Sequence, residues 1–360
     1  MTDRQFMKRA ITLAKRGHGW VHPNPMVGAV LVKDNKIIGE GWHKRCGDLH
    51  AERNAFADAK SKNNNTEGAT LYVTLEPCCH YGRTAPCTEA IIENKIKKVV
   101  IGSNDPNPKV AGKGIAILRN AGIEVVENFM REECDALNPV FFHYITTKTP
   151  YVTFKYAMTL DGKIATKSGA SRWISGEESR KEVHKLRYDN MAIMVGIGTV
   201  LADDPVLNCR LPKQKNPRNP IRIICDSNLR LPLTSNIVKT ADSIRTIVAT
   251  TSTDNEKVNT LKAHNVEVLH YTNLKQMMKQ LGEMEIDSIL LEGGPTLAAS
   301  FLEEDLVNEM VVFVAPKLFG GKARGPVEGT GVELPDKAHR FKYVDMKKTG
   351  EDLMLRCLPE

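Results

Sequence analysis

Apolar and polar positions alternate along this chain with two periods, and the changes of period mark its elements. Residues 3–16 bring Met7, Ala10, Ile11 and Ala14 onto one helical face, and Gly17 stands where such a helix stops. Val27–Val32 reads as a strand that turns at Asp34-Asn35 into a partner strand, Lys36–Gly39. The spacing then predicts a helix over His50–Lys60, a strand over Thr70–Leu75, a helix over Thr88–Asn94 and a strand over Lys98–Ile101. A helix over Lys113–Ala121 and a strand over Glu124–Glu127 close the run. Strands separated by short helices imply a sheet with helices on both faces.

The pattern breaks in the polar stretch Thr146-Thr147-Lys148-Thr149-Pro150, which predicts a domain boundary, with domains over 1–147 and 148–360. A length of 360 residues is long for one core and comfortable for two. Strands dominate beyond the boundary: Tyr151–Met158, Ala192–Val195, Ile221–Cys225, Thr246–Ala249, Val266–His270, Ser288–Leu291, Glu309–Val314 and Leu353–Cys357. Helices are expected at Glu177–Tyr188, Leu274–Leu281 and Thr296–Leu306, which makes a second α/β domain with a larger, mixed sheet. No repeat of fixed period appears, and Asn63-Asn64-Asn65 reads as a loop.

Composition changes this picture little. Apolar content of 41% and charged content of 26% are those of an ordinary globular protein. No apolar run reaches bilayer length, and the first seventeen residues read as a folded helix and not as a signal peptide. A cytoplasmic location is the expectation, with no membrane partner. The net charge of +7 comes from basic residues spread without a dense block, which reads as a solvated surface and predicts no nucleic-acid partner. A homo-oligomer is expected, of an order the residues leave open. Eight cysteines without a secretion signal argue for metal or burial over disulfides.

Three of those cysteines crowd into Pro77-Cys78-Cys79-His80-Tyr81-Gly82-Arg83-Thr84-Ala85-Pro86-Cys87, one strand after His50-Ala51-Glu52. One imidazole and two thiolates hold zinc with a fourth position open for water, whose pKa the metal lowers towards neutrality. A carboxylate beside the metal but not bound to it then moves protons from that water to a ring nitrogen and a departing amine, the pattern of zinc deaminases. Glu52 is placed for that task, with His50, Cys78 and Cys87 as ligands. Cys78 is expected to open the next helix, whose backbone N–H groups favour thiolate. The alternative is a structural zinc knot, with Cys79 or His80 as fourth ligand. Eight residues separate the cysteines where nucleic-acid deaminases usually have two. The insert's His80 and Arg83 suit a phosphate, or else mark a solvated loop.

With these residues on the page, the chain resembles the bifunctional riboflavin-biosynthesis deaminase–reductase family. The likeness rests on His50-Ala51-Glu52, on Thr74–Cys87, on His22-Pro23-Asn24-Pro25-Met26-Val27-Gly28 and on Asn104-Asp105-Pro106-Asn107-Pro108. In the second half it rests on Asp161-Gly162-Lys163, Ser171-Arg172-Trp173-Ile174, Gly198–Pro205 and Glu292-Gly293-Gly294-Pro295-Thr296-Leu297. The resemblance implies an α/β fold class. A cytidine-deaminase-like three-layer α/β/α domain would precede a dihydrofolate-reductase-like α/β domain. It implies one zinc ion per chain at the deaminase site, and NADPH. The substrate would be a phosphoribosylated pyrimidine: 2,5-diamino-6-(5-phosphoribosylamino)pyrimidin-4(3H)-one is deaminated to 5-amino-6-(5-phosphoribosylamino)uracil, whose ribosyl group is then reduced to ribityl. It further implies that Asn24 and His43 contact the pyrimidine, His80 and Arg83 the phosphate, and Asp105 and Asn107 the ribose. Asn24 and Asn107 also lie in Asn-Pro turns, where such side chains often hold their own backbone. Cys79 stands where the family usually has Ser and reads as a spectator thiol.

Read for itself, the second half lacks the dinucleotide fingerprint, because Gly196-Ile197-Gly198 is followed by Leu201 where a third glycine would stand. Gly293-Gly294 between a strand and a helix could admit a phosphate to the helix N-terminus, or be a plain turn. The resemblance assigns the NADPH site to Met158, Trp173, Thr199, Asp203, Ser227, Gly294, Pro295, Thr296, Leu297, Ala298, Ala299 and Ser300. It assigns the reductase substrate to Ser171, Arg187, Leu207, Arg210 and Glu292. Asp203, Glu292 or water could donate the proton in the reduction. Two rival readings remain, a nucleic-acid deaminase and a zinc-stabilised binding protein without catalysis.

Overall fold

A computed structural model of the chain describes residues 1–82, 84–211 and 217–360, which form two compact units, Met1–Lys148 and Thr149–Glu360. In the first, helix α1 (Asp3–Ala14) leads into strands β1 (Gly28–Lys33) and β2 (Lys36–Trp42), helix α2 (Ala51–Ser61) and strand β3 (Thr70–Leu75). Helix α3 (Cys87–Glu93), β4 (Lys98–Ser103), α4 (Lys113–Asn120) and β5 (Glu124–Val126) follow, then α5 (Arg131–Asp135) and α6 (Pro139–Thr147). The sheet order is β2-β1-β3-β4-β5, antiparallel on the β2 side of β3 and parallel on the β5 side.

Strand alternation divides the apolar residues between two faces. Leu31, Leu71, Val73, Val99 and Ile101 meet Ala55, Phe56, Ile91, Ile115 and Leu118 of α2, α3 and α4. Val30, Val32, Tyr72 and Val100 meet Phe6, Met7, Ala10 and Leu13 of α1. Each large side chain so buried contributes roughly 2 kcal/mol. The result is the three-layer α/β/α arrangement that the periodicity implied.

The second unit begins with β6 (Tyr151–Thr159), α7 (Glu177–Asp189), β7 (Ala192–Gly196), α8 (Ile197–Asp203) and β8 (Ile221–Cys225). It continues with α9 (Asn236–Lys239), β9 (Thr246–Thr250), α10 (Asn255–Ala263), β10 (Val266–His270), α11 (Leu274–Glu283) and β11 (Ser288–Leu291). Helix α12 (Pro295–Glu303), β12 (Glu309–Ala315), β13 (Phe341–Thr349) and β14 (Asp352–Pro359) complete it. Among the described residues the sheet order is β10-β9-β8-β7-β11-β6-β12-β14-β13, mixed as expected. All pairs from β10 to β12 are parallel, and β14 and β13 are antiparallel. Helices cover both faces, with Phe301 and Met277 on one and Val200 and Leu261 on the other.

The sequence reading does not include α5, α6, α8, α9, α10 and β13. Helix α10 buries only Val258 and Leu261, too few apolar positions to set a period. Strand β13 leaves Tyr343, Val344 and Met346 exposed at the sheet edge, so neither of its faces carries a core pattern.

Candidate functional sites

In the first unit, the end of α2 and the loops after β3 and β4 converge. His50 is the N-cap of α2 and Glu52 stands in its first turn. The helix sits directly on β2, where a Cβ at Gly41 would lie 2.2 Å from the Ala51 carbonyl oxygen and 2.3 Å from the Ala55 nitrogen. Only glycine permits that approach. Cys78 follows β3 in irregular backbone. The helix expected to open near it begins instead at Cys87, with Pro86 as N-cap, one residue before the Thr88 start that the spacing predicts. A helix-end donor is nonetheless supplied: the Cys87 amide donates to Cys78 Sγ at 3.4 Å.

His50 Nδ1 lies 3.4 Å from Cys78 Sγ and 3.4 Å from Cys87 Sγ. The three ligand atoms all lie within 4.8 Å of one another. Cys79, by contrast, donates its thiol to the Lys109 carbonyl at 3.5 Å. Of the two clustered thiols, Cys78 ionises first. A hydrogen bond from Cys87 and the neighbouring His50 imidazole hold it well below the usual thiol range. The same bond and burial push Cys87 up. Glu52 is 3% exposed; burial, then the Cys78 charge, raise its pKa above the usual carboxylate range. A carboxyl poised above its ordinary value is suited to exchanging protons near neutrality.

Asn24 and His43 are brought together beside this cluster. His43 Nδ1 lies 3.2 Å from the Leu49 carbonyl, which can only accept, so that nitrogen carries the proton. Its Nε2 therefore accepts from the Asn24 amide at 3.1 Å. Burial holds His43 below its usual pKa, and its ring meets that of His50 edge-on at 5.4 Å. His80 Nδ1 is buried and has no hydrogen-bond partner among the described residues. Arg83 lies outside the described residues.

Asp105 and Asn107 occupy the loop after β4, and each holds local backbone. Asp105 Oδ1 accepts from the Asn107 amide at 2.8 Å, and Asn107 Oδ1 from the Lys109 amide at 3.1 Å. Burial is the main cause that pushes the Asp105 carboxyl up to about 6.

In the second unit the C-terminal ends of β6, β7 and β11 adjoin, the edge where open parallel sheets bind ligands. Glu292 follows β11 and is gripped by Arg187 of α7 through two hydrogen bonds, of 2.7 and 2.8 Å. Lys155 of β6 lies 3.9 Å from the same carboxylate. Burial alone would raise Glu292, but these two cations outweigh it and hold it below its usual range. Arg187 also donates to the Asn208 carbonyl at 3.0 Å, and the Arg210 amide donates to His184 Nδ1 at 3.2 Å. Leu207, at φ +53°, and Arg210 thus stand on a loop pinned to α7.

Gly294, at φ +74°, is the N-cap of α12. Pro295 has no N–H and the Ala298 amide is spent on the Gly294 carbonyl at 3.0 Å, which leaves the Thr296 and Leu297 amides at the open end. Thr199 of α8 abuts this turn, since a Cβ at Gly293 would lie 2.9 Å from its hydroxyl. Ala298 and Ala299 are buried in the core, and Ser300 donates back to the Thr296 carbonyl at 3.2 Å. Met158, the penultimate residue of β6, is half-buried, as is Ser171. Trp173 is exposed; the Arg180 guanidinium stacks 4.6 Å from its ring, and Lys317 donates to its carbonyl at 3.0 Å. Asp203 ends α8 and receives Arg172 on its carbonyl at 2.9 Å. The Ser227 carbonyl accepts from Thr250 at 3.2 Å.

Residues 1–103 match the cytidine and deoxycytidylate deaminase zinc-binding region, and residues 150–355 match the RibD C-terminal domain, which spans more than half the chain. The chain belongs to the RibD family. It is 52% identical to the riboflavin biosynthesis protein RibD of Actinobacillus pleuropneumoniae, over 99% of this chain and 95% of that one. With Escherichia coli RibD it shares 42% identity over 99% of this chain and all of the other (100%). The solved structure of Acinetobacter baumannii RibD superposes with a TM-score of 0.92 at 41% identity, covering 99% of both chains. The Thermotoga maritima diaminohydroxyphosphoribosylaminopyrimidine deaminase/5-amino-6-(5-phosphoribosylamino)uracil reductase gives 0.89 at 41%, covering 99% of this chain and 98% of that one. As a member of the RibD family, the chain is a bifunctional deaminase and reductase of riboflavin biosynthesis.

Three residues of these RibD-family sites escaped the sequence reading. Glu76 is 3% exposed, and its carboxylate accepts from the amides of Asp105 (3.3 Å), Gly112 (3.1 Å) and Ile115 (3.3 Å), so it fixes the loop that carries Asp105 and caps α4. Its signal was a carboxylate inside the apolar run that leads to Pro77-Cys78. Lys155 signalled itself as a charge within a strand read as core, and His184 as a neighbour of Arg187 at helical spacing.

Proposed function

We propose that the first unit deaminates 2,5-diamino-6-(5-phosphoribosylamino)pyrimidin-4(3H)-one and that zinc serves it, held by His50, Cys78 and Cys87. The observation that carries this reading is the spacing of the three donors. Bonds of about 2.3 Å to sulfur and about 2.1 Å to nitrogen at a tetrahedral angle separate such atoms by roughly 3.5 Å. The imidazole nitrogen lies 3.4 Å from each sulfur, so the donor set fits the ion, with a fourth position left over. Bound there, zinc supplies the Lewis acidity that makes a water reactive at neutral pH. Glu52 carries two protons in turn, the first from the attacking water to the ring nitrogen and the second from the hydroxyl then on the ring carbon to the amine, which leaves as ammonia. Asn24 and the neutral His43 orient the pyrimidine. The orphan His80 Nδ1 supports a phosphate contact by the insert, shared with Arg83. Asp105 and Asn107 face the ribose in this reading.

In the second unit we infer that NADPH reduces the ribosyl group of the deaminated product. The open α12 end with Gly294, Pro295, Thr296 and Leu297, and Thr199 against it, fit a cofactor phosphate. Bound NADPH supplies the hydride. Met158, Trp173, Asp203, Ser227 and the α12 residues Ala298, Ala299 and Ser300 complete that site through side chain or backbone. Arg187, Arg210, Leu207 and Ser171 would bind substrate, with Glu292 held ionised beside Lys155 as the proton-handling pair. The reading places the chain in the cytoplasm, where thiolate ligands stay reduced. It also takes the chain as a homo-oligomer, a state that sedimentation would report. A coupled assay tests the whole scheme: ammonia release should precede NADPH oxidation, one for one. Cofactor oxidation with the diamino substrate but without ammonia would refute that order.

A further inference from the structure

Besides the bond from the Cys79 thiol to the Lys109 carbonyl, the eight residues between Cys78 and Cys87 are tied down at three described points. The Tyr81 hydroxyl reaches the Glu89 carboxylate at 2.9 Å to either oxygen. Arg53, next to Glu52 on α2, donates to the carbonyls of Ala85 at 3.1 Å and Pro86 at 2.8 Å. The third tie touches the metal cluster itself: Thr84 Oγ1 lies 3.4 Å from His50 Nε2.

The direction of that last contact follows from the other side of the ring. His50 turns Nδ1 to both sulfurs, at 3.4 Å each, so an ion held by the three residues would take the Nδ1 lone pair. The proton of the neutral imidazole then sits on Nε2, which can only donate. A hydroxyl oxygen is the acceptor within reach. We propose that Thr84 is a positioning residue for the metal ligand His50, accepting its Nε2–H and so fixing both the tautomer and the plane of the ring. The inference rests on the zinc reading above and deepens it.

Ligand imidazoles are commonly oriented by such a partner, and loss of the partner typically costs about 10- to 100-fold in metal affinity. The contact also gives the long spacing between the cysteines a second use. Two intervening residues would leave no chain to return over the imidazole, whereas here the sixth residue of the insert does so. Arg53 secures the following carbonyls from the same helix that presents His50, so one loop serves the metal ligand at Thr84 and carries the phosphate candidate His80.

The test is zinc competition against a chromophoric chelator, using the full chain and its Thr84→Val and Thr84→Ser variants. Thr84→Val keeps the shape and removes the acceptor, and zinc should bind about tenfold more weakly or worse. Thr84→Ser keeps the hydroxyl and should stay within about threefold of the native value. Equal zinc affinity in native and Thr84→Val proteins would overturn the proposal while leaving the zinc reading intact, and so would a Ser variant as weak as Val. Native protein that takes up no stoichiometric zinc would overturn both. Nitrogen NMR of the zinc-loaded native chain guards against a misfolded variant: Nε2 of His50 should be protonated, and a metal-bound Nε2 would refute the assignment.

Discussion

At the scale of single residues, the proposed deaminase centre separates holding from reacting. His50, Cys78 and Cys87 offer lone pairs, while Glu52, buried beside them, has a carboxyl raised above its ordinary range. Glu52→Gln removes the proton carrier and leaves the three ligands. Zinc content should stay at the native level while deamination falls by about 100-fold or more, the scale of general acid–base catalysis. Metal analysis beside an ammonia assay checks this, and a Gln variant that still releases ammonia at the native rate would exclude the role. Asp105 makes a second, pH-dependent case. Its folded pKa of about 6 lies above that of an unfolded aspartate, so the folded chain keeps a proton that the unfolded chain has lost. The sign is therefore the reverse of an ion-paired carboxylate: the Asp105 contribution to stability falls as pH rises from about 4 to about 6. Compared with Asp105→Asn, the native protein should lose stability across that window in denaturant titrations. A constant difference between the two would contradict the raised value.

At the scale of elements, the site depends on how closely α2 lies on β2. A Cβ at Gly41 would stand 2.2 Å from the Ala51 carbonyl, next to His50. Gly41→Ala must push the helix N-terminus outward, and a misplacement of about 1 Å can cost 100-fold in rate. Deamination should fall at least tenfold, with weakened zinc binding, while reduction of separately supplied 5-amino-6-(5-phosphoribosylamino)uracil continues. Unchanged deamination in Gly41→Ala would show that α2 can shift without consequence. The elements that carry the site were legible where their period was strong. Strand β3 and helix α2 follow their apolar positions, and the proposed ligands His50, Cys78 and Cys87, chosen by residue type and spacing, are a His/Cys group that the fold brings together. The helix predicted over Thr88–Asn94 lies at Cys87–Glu93, whereas the expectation that Cys78 opens it fails because Cys78 stands in irregular backbone. Helix α10 and strand β13 were invisible for want of buried positions.

At the scale of the whole molecule, two cores hold two chemistries. The apolar clusters of the deaminase unit comprise residues from α1 to α5, and those of the reductase unit residues from β6 to β14. What the sequence could not reveal is long-range pairing: Arg187 meets Glu292 across 105 positions, and Thr84 meets His50 across 34. No local pattern encodes such contacts, since only the folded sheet brings them together. Because the cores are separate, stripping zinc with a chelator should abolish ammonia release and spare NADPH oxidation with the deaminated substrate. Loss of both activities together would contradict separate sites.

Zinc K-edge X-ray absorption on the purified chain tests the central claim most directly. One ion per chain should appear, bound by two sulfurs at about 2.3 Å, one imidazole nitrogen and one further light atom from solvent. A third sulfur, a second imidazole or the lack of stoichiometric zinc would leave Glu52 with no water to deprotonate and would contradict the account.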